Sequence, residues 1–80
     1  MSSDGQLVRE VLSGRVESYD PLARRWAARV MAVCHARIGR ADAAEDLTQE
    51  TLLRGLRALP SLSDPDKFGP WLCGITASFP

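Results

Sequence analysis

The stretch from Asp42 to Leu59, DAAEDLTQETLLRGLRAL, decides the fold. It has no proline and a single glycine, begins with acids and ends with Arg54 and Arg57, an order that suits the dipole of one helix. Winding it at ~100° per residue separates its surfaces. Leu52, Leu56 and Leu59 gather on one side, with Leu47 and Ala43 nearly opposite, as in a central helix that touches neighbours on two sides. Between them runs a strip of Asp46, Glu50, Arg54 and Arg57, bordered by Gln49 and Leu53. Glu50 and Arg54 stand at the favourable i,i+4 spacing, worth only a few tenths of a kcal/mol. A charged strip is most often a solvated face, so these residues alone predict a buried helix with one charged side.

The flanks extend this into an all-α reading. Leu7, Val8, Val11 and Leu12 form one apolar face of a first helix over Ser3 to Ser13, with Ser3 or Asp4 as cap and Gly14 at its stop. Val16 to Tyr19 reads as a separate turn, because Pro21 deep inside a helix would break it. A second helix runs from Asp20, its cap, to Ile38. It carries two adjoining stripes: Leu22, Trp26, Val30 and Val33, then Ala23, Ala27, Met31, Cys34 and Ile38. Arg24, Arg25 and Arg29 lie outside them, as a solvated face or as contacts for a protein or for phosphate. Gly39-Arg40-Ala41 is too short to do other than fold the next helix back antiparallel. Asp42 and Glu45 there have the spacing of a capping box. Pro60 ends the central helix, and PSLSDPDKFG, residues 60–69, is a loop by composition, with a turn from Asp64-Pro65 to Phe68. A last helix starts at Pro70. The expected architecture is four helices, the third central, with Trp26 and Trp71 mostly buried.

Composition bounds the function. Eighty residues make one domain with a modest core, and 45% hydrophobic with 25% charged residues is a globular balance. The formal net charge of zero argues against a strongly basic nucleic-acid binder and gives no attraction to a membrane. No apolar run approaches the ~20 residues of a membrane span. MSSDGQLVRE carries acids where a secretory leader would be basic and then apolar, so the chain reads as cytoplasmic. Cys34 and Cys73 are too few for a disulfide framework and read as small buried hydrophobes. Cys34 and His35, adjacent on a helix, point about 100° apart, and one His with two Cys lacks a zinc spacing. No nucleophile–base pair, glycine-rich phosphate loop or metal cluster marks an enzyme, and no cofactor is expected.

The run Asp46-Leu47-Thr48-Gln49-Glu50, followed by Leu52, Arg54 and Leu59, resembles the region 2 helix of extracytoplasmic-function (ECF) sigma factors, whose pattern is D-[LV]-x-Q-E and then an apolar and a basic residue. The resemblance continues in Leu7-Val8, Val11 and Gly14, in Tyr19, Leu22 and Trp26, and in Phe68, Trp71, Leu72 and Ile75, which match F-x-x-W-L-x-x-I. It covers nearly all of residues 1–80 as one region 2-like domain; the linker and region 4 of a full sigma factor lie outside this sequence. It implies that Asp46, Gln49, Glu50, Leu53 and Arg54 bind the clamp helices of the largest subunit of core RNA polymerase. It further implies that Ser61, Leu62, Ser63, Lys67 and Trp71 meet the non-template single strand of the promoter minus-ten element. Leu62 would then wall a pocket for a flipped base; its other reading is an anchor that pins the loop to the core. Many relatives carry a basic residue where Gly74 stands and an Arg-Asn pair where Ala77 and Ser78 stand, and this chain does not. That departure, with the neutral charge, keeps open a helical interaction module that binds polymerase or an anti-sigma factor without DNA. A helix-turn-helix reader fits less well, because no recognition helix rich in Arg, Asn or Gln follows the turn at Gly39.

Overall fold

The computed structural model describes residues 2–78. The described residues are helical almost throughout, in the order α1 (Asp4–Leu12), α2 (Tyr19–Ile38), α3 (Ala41–Ala58) and α4 (Phe68–Ile75), joined and followed by single 3-10 turns at Val16–Ser18, Leu59–Ser61, Pro65–Lys67 and Thr76–Ser78. The four-helix all-α expectation therefore holds. The hydroxyl of Ser3 caps α1 by accepting from the Gln6 N–H at 3.1 Å. Gly39 closes α2 with a left-handed φ of 79°, a backbone region that costs glycine little, and its N–H returns to the His35 carbonyl. That turn folds α3 back along α2. The loop after α3 is pinned by Asp64, whose carboxylate accepts from the Asp66 N–H at 3.1 Å.

Several helix starts differ from the sequence reading. Asp20 is not the cap of α2: the helix begins one residue earlier, Ser18 is its cap without a side-chain bond, and Asp20 instead pairs with Arg24 at 3.0 Å. The capping box at Asp42 and Glu45 does not form. Arg40 occupies the cap, and Asp42 sits inside the first turn, where its carboxylate accepts from the Ala43 N–H at 2.9 Å and meets Arg40 at 3.2 Å. An acid there still favours the helix N-terminus. α4 starts at Phe68 rather than Pro70, which sits within the first turn, where a missing N–H costs no helical bond. The sequence reading carried this last helix on to Pro80, and Phe79 and Pro80 lie outside the described residues. Leu12, assigned to the buried face of α1, is 46% exposed, because that helix ends there and the chain turns away at Ser13 and Gly14.

The core gathers Leu7, Val8 and Val11 of α1, Tyr19, Leu22, Val30 and Cys34 of α2, Leu59, and Phe68 and Leu72 of α4. Each fully buried Leu or Phe contributes about 1.5–3 kcal/mol. The surprise is α3. Its buried line is not leucine but Ala44, Thr48, Thr51 and Gly55, at spacings of four, three and four, while Leu47, Leu52 and Leu56 are half-buried beside it. Small side chains let helix axes approach closely. The approach is tightest at Gly55, where a Cβ would lie 2.5 Å from Leu72 Cδ1 and 3.0 Å from the Tyr19 hydroxyl oxygen. Thr48 satisfies its hydroxyl by donating to the Ala44 carbonyl at 2.7 Å. The Thr51 hydroxyl is fully buried and finds no partner among the described residues.

Tyr19 ties three helices together. Its hydroxyl donates to the Leu52 carbonyl of α3 at 2.5 Å, and its ring meets Phe68 of α4 edge to face at 6.1 Å between centroids. A second clasp holds α1: Asp4 accepts from the Trp26 indole N–H at 2.9 Å and pairs with Arg25 at 2.8 Å, while Ser18 donates to Glu10 at 2.6 Å. Trp26 and Trp71 are mostly buried as expected, packed against the core with an edge of each ring left open. The polar edge of Trp26 reaches Asp4 near the surface, and the Trp71 ring lies tilted against Phe68 at 6.0 Å.

Two outcomes follow from this packing. A buried hydroxyl without a partner costs about 1–3 kcal/mol, and valine has nearly the same shape and helix propensity. Thr51→Val should therefore raise the unfolding free energy by about 1 kcal/mol in urea titration; a loss of stability would mean that the hydroxyl has a partner. Burial pushes the Tyr19 hydroxyl up to about 12, whereas an unfolded tyrosine ionises near 10. The stability this group contributes is complete below pH ~10 and is lost as the pH rises toward 12. Tyr19 is the only tyrosine, so tyrosinate absorbance reads it alone. Ionisation near pH 10 in the folded protein would contradict the buried position.

Candidate nucleic-acid and polymerase interface

α3 turns its small-residue line inward, and by helical geometry the opposite side faces solvent. Asp46, Gln49, Glu50 and Arg54 are all exposed on that side, and Leu53 beside them is 43% exposed. Leu53 is the large apolar side chain that α3 leaves exposed among these polar residues. Gln49 and Leu53 also edge a groove of about 410 Å³ along the α2–α3 seam, floored by Ala23, Ala27, Leu52 and Leu56. A second groove, about 540 Å³, continues toward the Gly39 turn past Met31, Ala32, His35 and Glu45. Glu45, Gln49, Leu52 and Leu56 follow one another at helical spacing, so both grooves lie on the same side of the helical hairpin. The exposed face of α3 is thus a ridge of charge beside an apolar furrow, a shape that fits another helix.

The second group of candidates lies around the loop that leads to α4. Leu62 is half-buried and packs on the core, as its anchoring reading expects. Ser61 and Ser63 on either side are exposed, and the Ser61 hydroxyl donates to the Ala58 carbonyl at 2.6 Å, which closes the end of α3. Ser61 therefore keeps only acceptor capacity toward a ligand. Lys67 is exposed at the last position before α4, and Trp71 sits one turn into that helix with part of its ring open. The turns at Leu59–Ser61 and Pro65–Lys67 both rest against α1, so a single helix supports both sides of the loop. Gly5 makes this possible: a side chain there would collide with Asp66.

The remaining reactive groups are arranged as structure. Cys34 is buried and His35 exposed, so the two do not converge. Burial pushes the Cys73 thiol up, partly opposed by the nearby Arg29 charge and reinforced by Cys34, which leaves it protonated at neutral pH. No group of three His, Cys, Asp or Glu side chains among the described residues could hold a metal ion. None of the described helices is long and apolar enough to cross a membrane.

The sequence reading missed the supports of these sites. Asp4, which fixes the Trp26 ring, was seen only as a possible cap. Gly69, on which that ring rests so closely that a Cβ would collide with it, reads in the sequence only as the end of the loop before Pro70. The α2 wall of the groove was assigned to the core, although the alternation of Ala23 and Ala27 with Asp20 and Arg24 is the pattern of a half-exposed seam.

No curated protein and no solved structure gives a significant match to this chain. The family model described as Sigma-70 region 2 matches residues 15–78, which takes in α2, α3, α4 and the loop with Leu62. A helical hairpin with an exposed acidic face on its second helix, followed by a loop and a short aromatic helix, is thus matched over most of its length, and the chain belongs to the Sigma-70 region 2 family, a non-enzymatic domain of the sigma factors that act in transcription initiation.

Proposed function

We propose that this chain is region 2 of a sigma factor of the ECF type, which docks on the clamp helices of the largest polymerase subunit and holds the non-template strand of the minus-ten element. One observation carries the docking half. Asp46, Gln49, Glu50 and Leu53 form one exposed face that the core does not use, and Leu53 leaves apolar surface open at its centre. Docking would bury Leu53 against an apolar neighbour and set the carboxylates of Asp46 and Glu50 against basic groups of the clamp, with Gln49 as a neutral hydrogen-bonding partner. Arg54, one turn beyond Glu50, gives the face a second sign of charge, which fixes register more than it adds affinity.

The strand-binding half rests on Ser61, Leu62, Ser63, Lys67 and Trp71. A base outside the stack needs an apolar wall and hydrogen-bonding groups around it. The outer edge of Leu62 supplies the first, Ser63 and the backbone the second, and Lys67 and Trp71 offer a phosphate contact and a stacking surface. One observation favours a second reading, an interaction module that binds polymerase or an anti-sigma factor without DNA. Pro70, Gly74 and Ala77, the outward residues along and just beyond α4, carry no cation.

Replacing Asp46 and Glu50 together by alanine tests the docking. Both are exposed, and alanine has the higher helix propensity, so the helical circular dichroism should stay at the wild-type level. Affinity for core polymerase should fall on the order of tenfold or more, the equivalent of about 1.4 kcal/mol. Undiminished binding would remove this face from the interface. For the strand, anisotropy titration of labelled single strands differing at one base should show a base preference in wild type that Leu62→Ala weakens. Duplex binding as tight as single-strand binding, or identical binding of every strand by both proteins, would replace base capture with the interaction-module reading.

A further inference from the structure

The outer strip of α2 carries Arg24, Arg25 and Arg29, and the fold gives them different surroundings. Arg24 is paired with Asp20, and Arg25 is paired with Asp4. Arg29 makes no ion pair among the described residues; its guanidinium lies 5.5 Å from the centroid of the Trp26 ring. The Trp26 ring is itself held on two sides, by the hydrogen bond from its indole N–H to Asp4 and by contact with Gly69 of α4. Arg29 is thereby positioned on the border between α2 and α4, near enough to Cys73 for its charge to act on that thiol.

The exposed side of α4 shows why this position matters. Phe68, Gly69, Leu72 and Thr76 point inward, and Pro70, Gly74 and Ala77 point outward. At ~100° per residue, Cys73 borders that outward strip on the Gly69 side, where α2 lies, and Trp71 borders it on the other. The strip itself is uncharged, and a Cβ added at Gly74 would meet nothing within 4 Å. It is an open track flanked by the partly open edge of the Trp71 indole on one side and by an arginine from the neighbouring helix on the other.

We propose that Arg29 supplies, from α2, the cation that binds a backbone phosphate of the single strand lying along α4. This rests on the strand-binding reading above and deepens it. An unpaired guanidinium keeps its full charge for a phosphate, and its planar fork of donors matches two phosphate oxygens. The contact with the Trp26 ring asks no hydrogen bond of the guanidinium, and it restricts a flexible side chain before the ligand arrives. Arg24 and Arg25 would first have to leave their carboxylates. The contact is blind to sequence, so it adds affinity and salt dependence and leaves base choice to the Leu62 loop.

The test is the salt dependence of single-strand binding by the 80-residue chain, measured by anisotropy with one labelled promoter-like strand. Wild type is compared with Arg29→Gln, Arg29→Lys and Arg24→Gln. Each phosphate neutralised on a single strand contributes about 0.7 to the slope of log K against log salt. Arg29→Gln should lower that slope by about 0.7 and weaken binding several-fold at low salt, with the base preference unchanged. Arg29→Lys should retain the slope, and Arg24→Gln should change it less than Arg29→Gln does. A wild-type slope in Arg29→Gln, with base-dependent binding still present, would overturn the assignment of Arg29 alone. Absence of binding by the wild type to any strand would instead remove the strand-binding reading, and this contact with it.

Discussion

The close approach of α3 to its neighbours at Gly55 is the constraint on which the rest of the structure depends. Leu72 of α4 and the hydroxyl of Tyr19 on α2 both occupy the space that a side chain there would fill. That proximity lets Tyr19 reach the Leu52 carbonyl while its ring packs against Phe68, so one aromatic residue joins three helices. The line of Ala44, Thr48 and Thr51 extends the same close contact toward the Gly39 turn. Leucines along that line would separate α2 from α3 and pull Tyr19 off its acceptor.

Burying small residues at the centre determines what is left outside. Because the inward line of α3 is narrow, its leucines sit half-buried on the flanks, and Leu53 is pushed into solvent beside Asp46, Gln49 and Glu50. The candidate polymerase face is therefore a by-product of the same packing that makes the helix central. It is presented on an 18-residue, internally bonded helix, the kind of rigid support that keeps a contact surface in place. The strand-side candidates are spread over several supports: Ser61 and Lys67 on single 3-10 turns that rest against α1, Leu62 and Ser63 on the loop between those turns, and Trp71 on α4.

Much of this was legible in the residues. The apolar periodicity of Leu7, Val8 and Val11, the Gly39 turn and the proline-rich stretch after Leu59 each act locally, so each announced its element. The D-L-x-Q-E run drew attention to the face of α3 that proved to be exposed. The failures share a physical cause. Apolar periodicity weights large side chains as core and so points to Leu52 and Leu56 as the buried side of α3, whereas Ala44, Thr48, Thr51 and Gly55 hold it. Small residues bury little area of their own, and their contribution is a distance between helices, which exists only once the partner helix is in place. The cap of α2 differs for a local reason: Asp20 has the chemistry of a cap, but the 3-10 turn Val16–Ser18 runs straight into Tyr19, so Asp20 falls inside the first turn. The positions of Asp4 and Arg29 depend on contacts 22 residues apart in the chain and on a ring seated against α4, neither of which has a local signature.

Gly55 marks a close contact between helices and is not a mere defect in a helix. Substituting alanine separates the two by sign. In an open helix Gly→Ala raises stability by about 0.5–1 kcal/mol. At a contact already filled by Leu72 and by a tyrosine hydroxyl with a fixed acceptor, the added methyl must displace both, and overpacking of this kind costs about 1–3 kcal/mol. Urea unfolding of Gly55→Ala beside wild type is the direct measurement. A lower midpoint at an unchanged m-value is the predicted result. A midpoint equal to or above wild type would contradict the central packing claim.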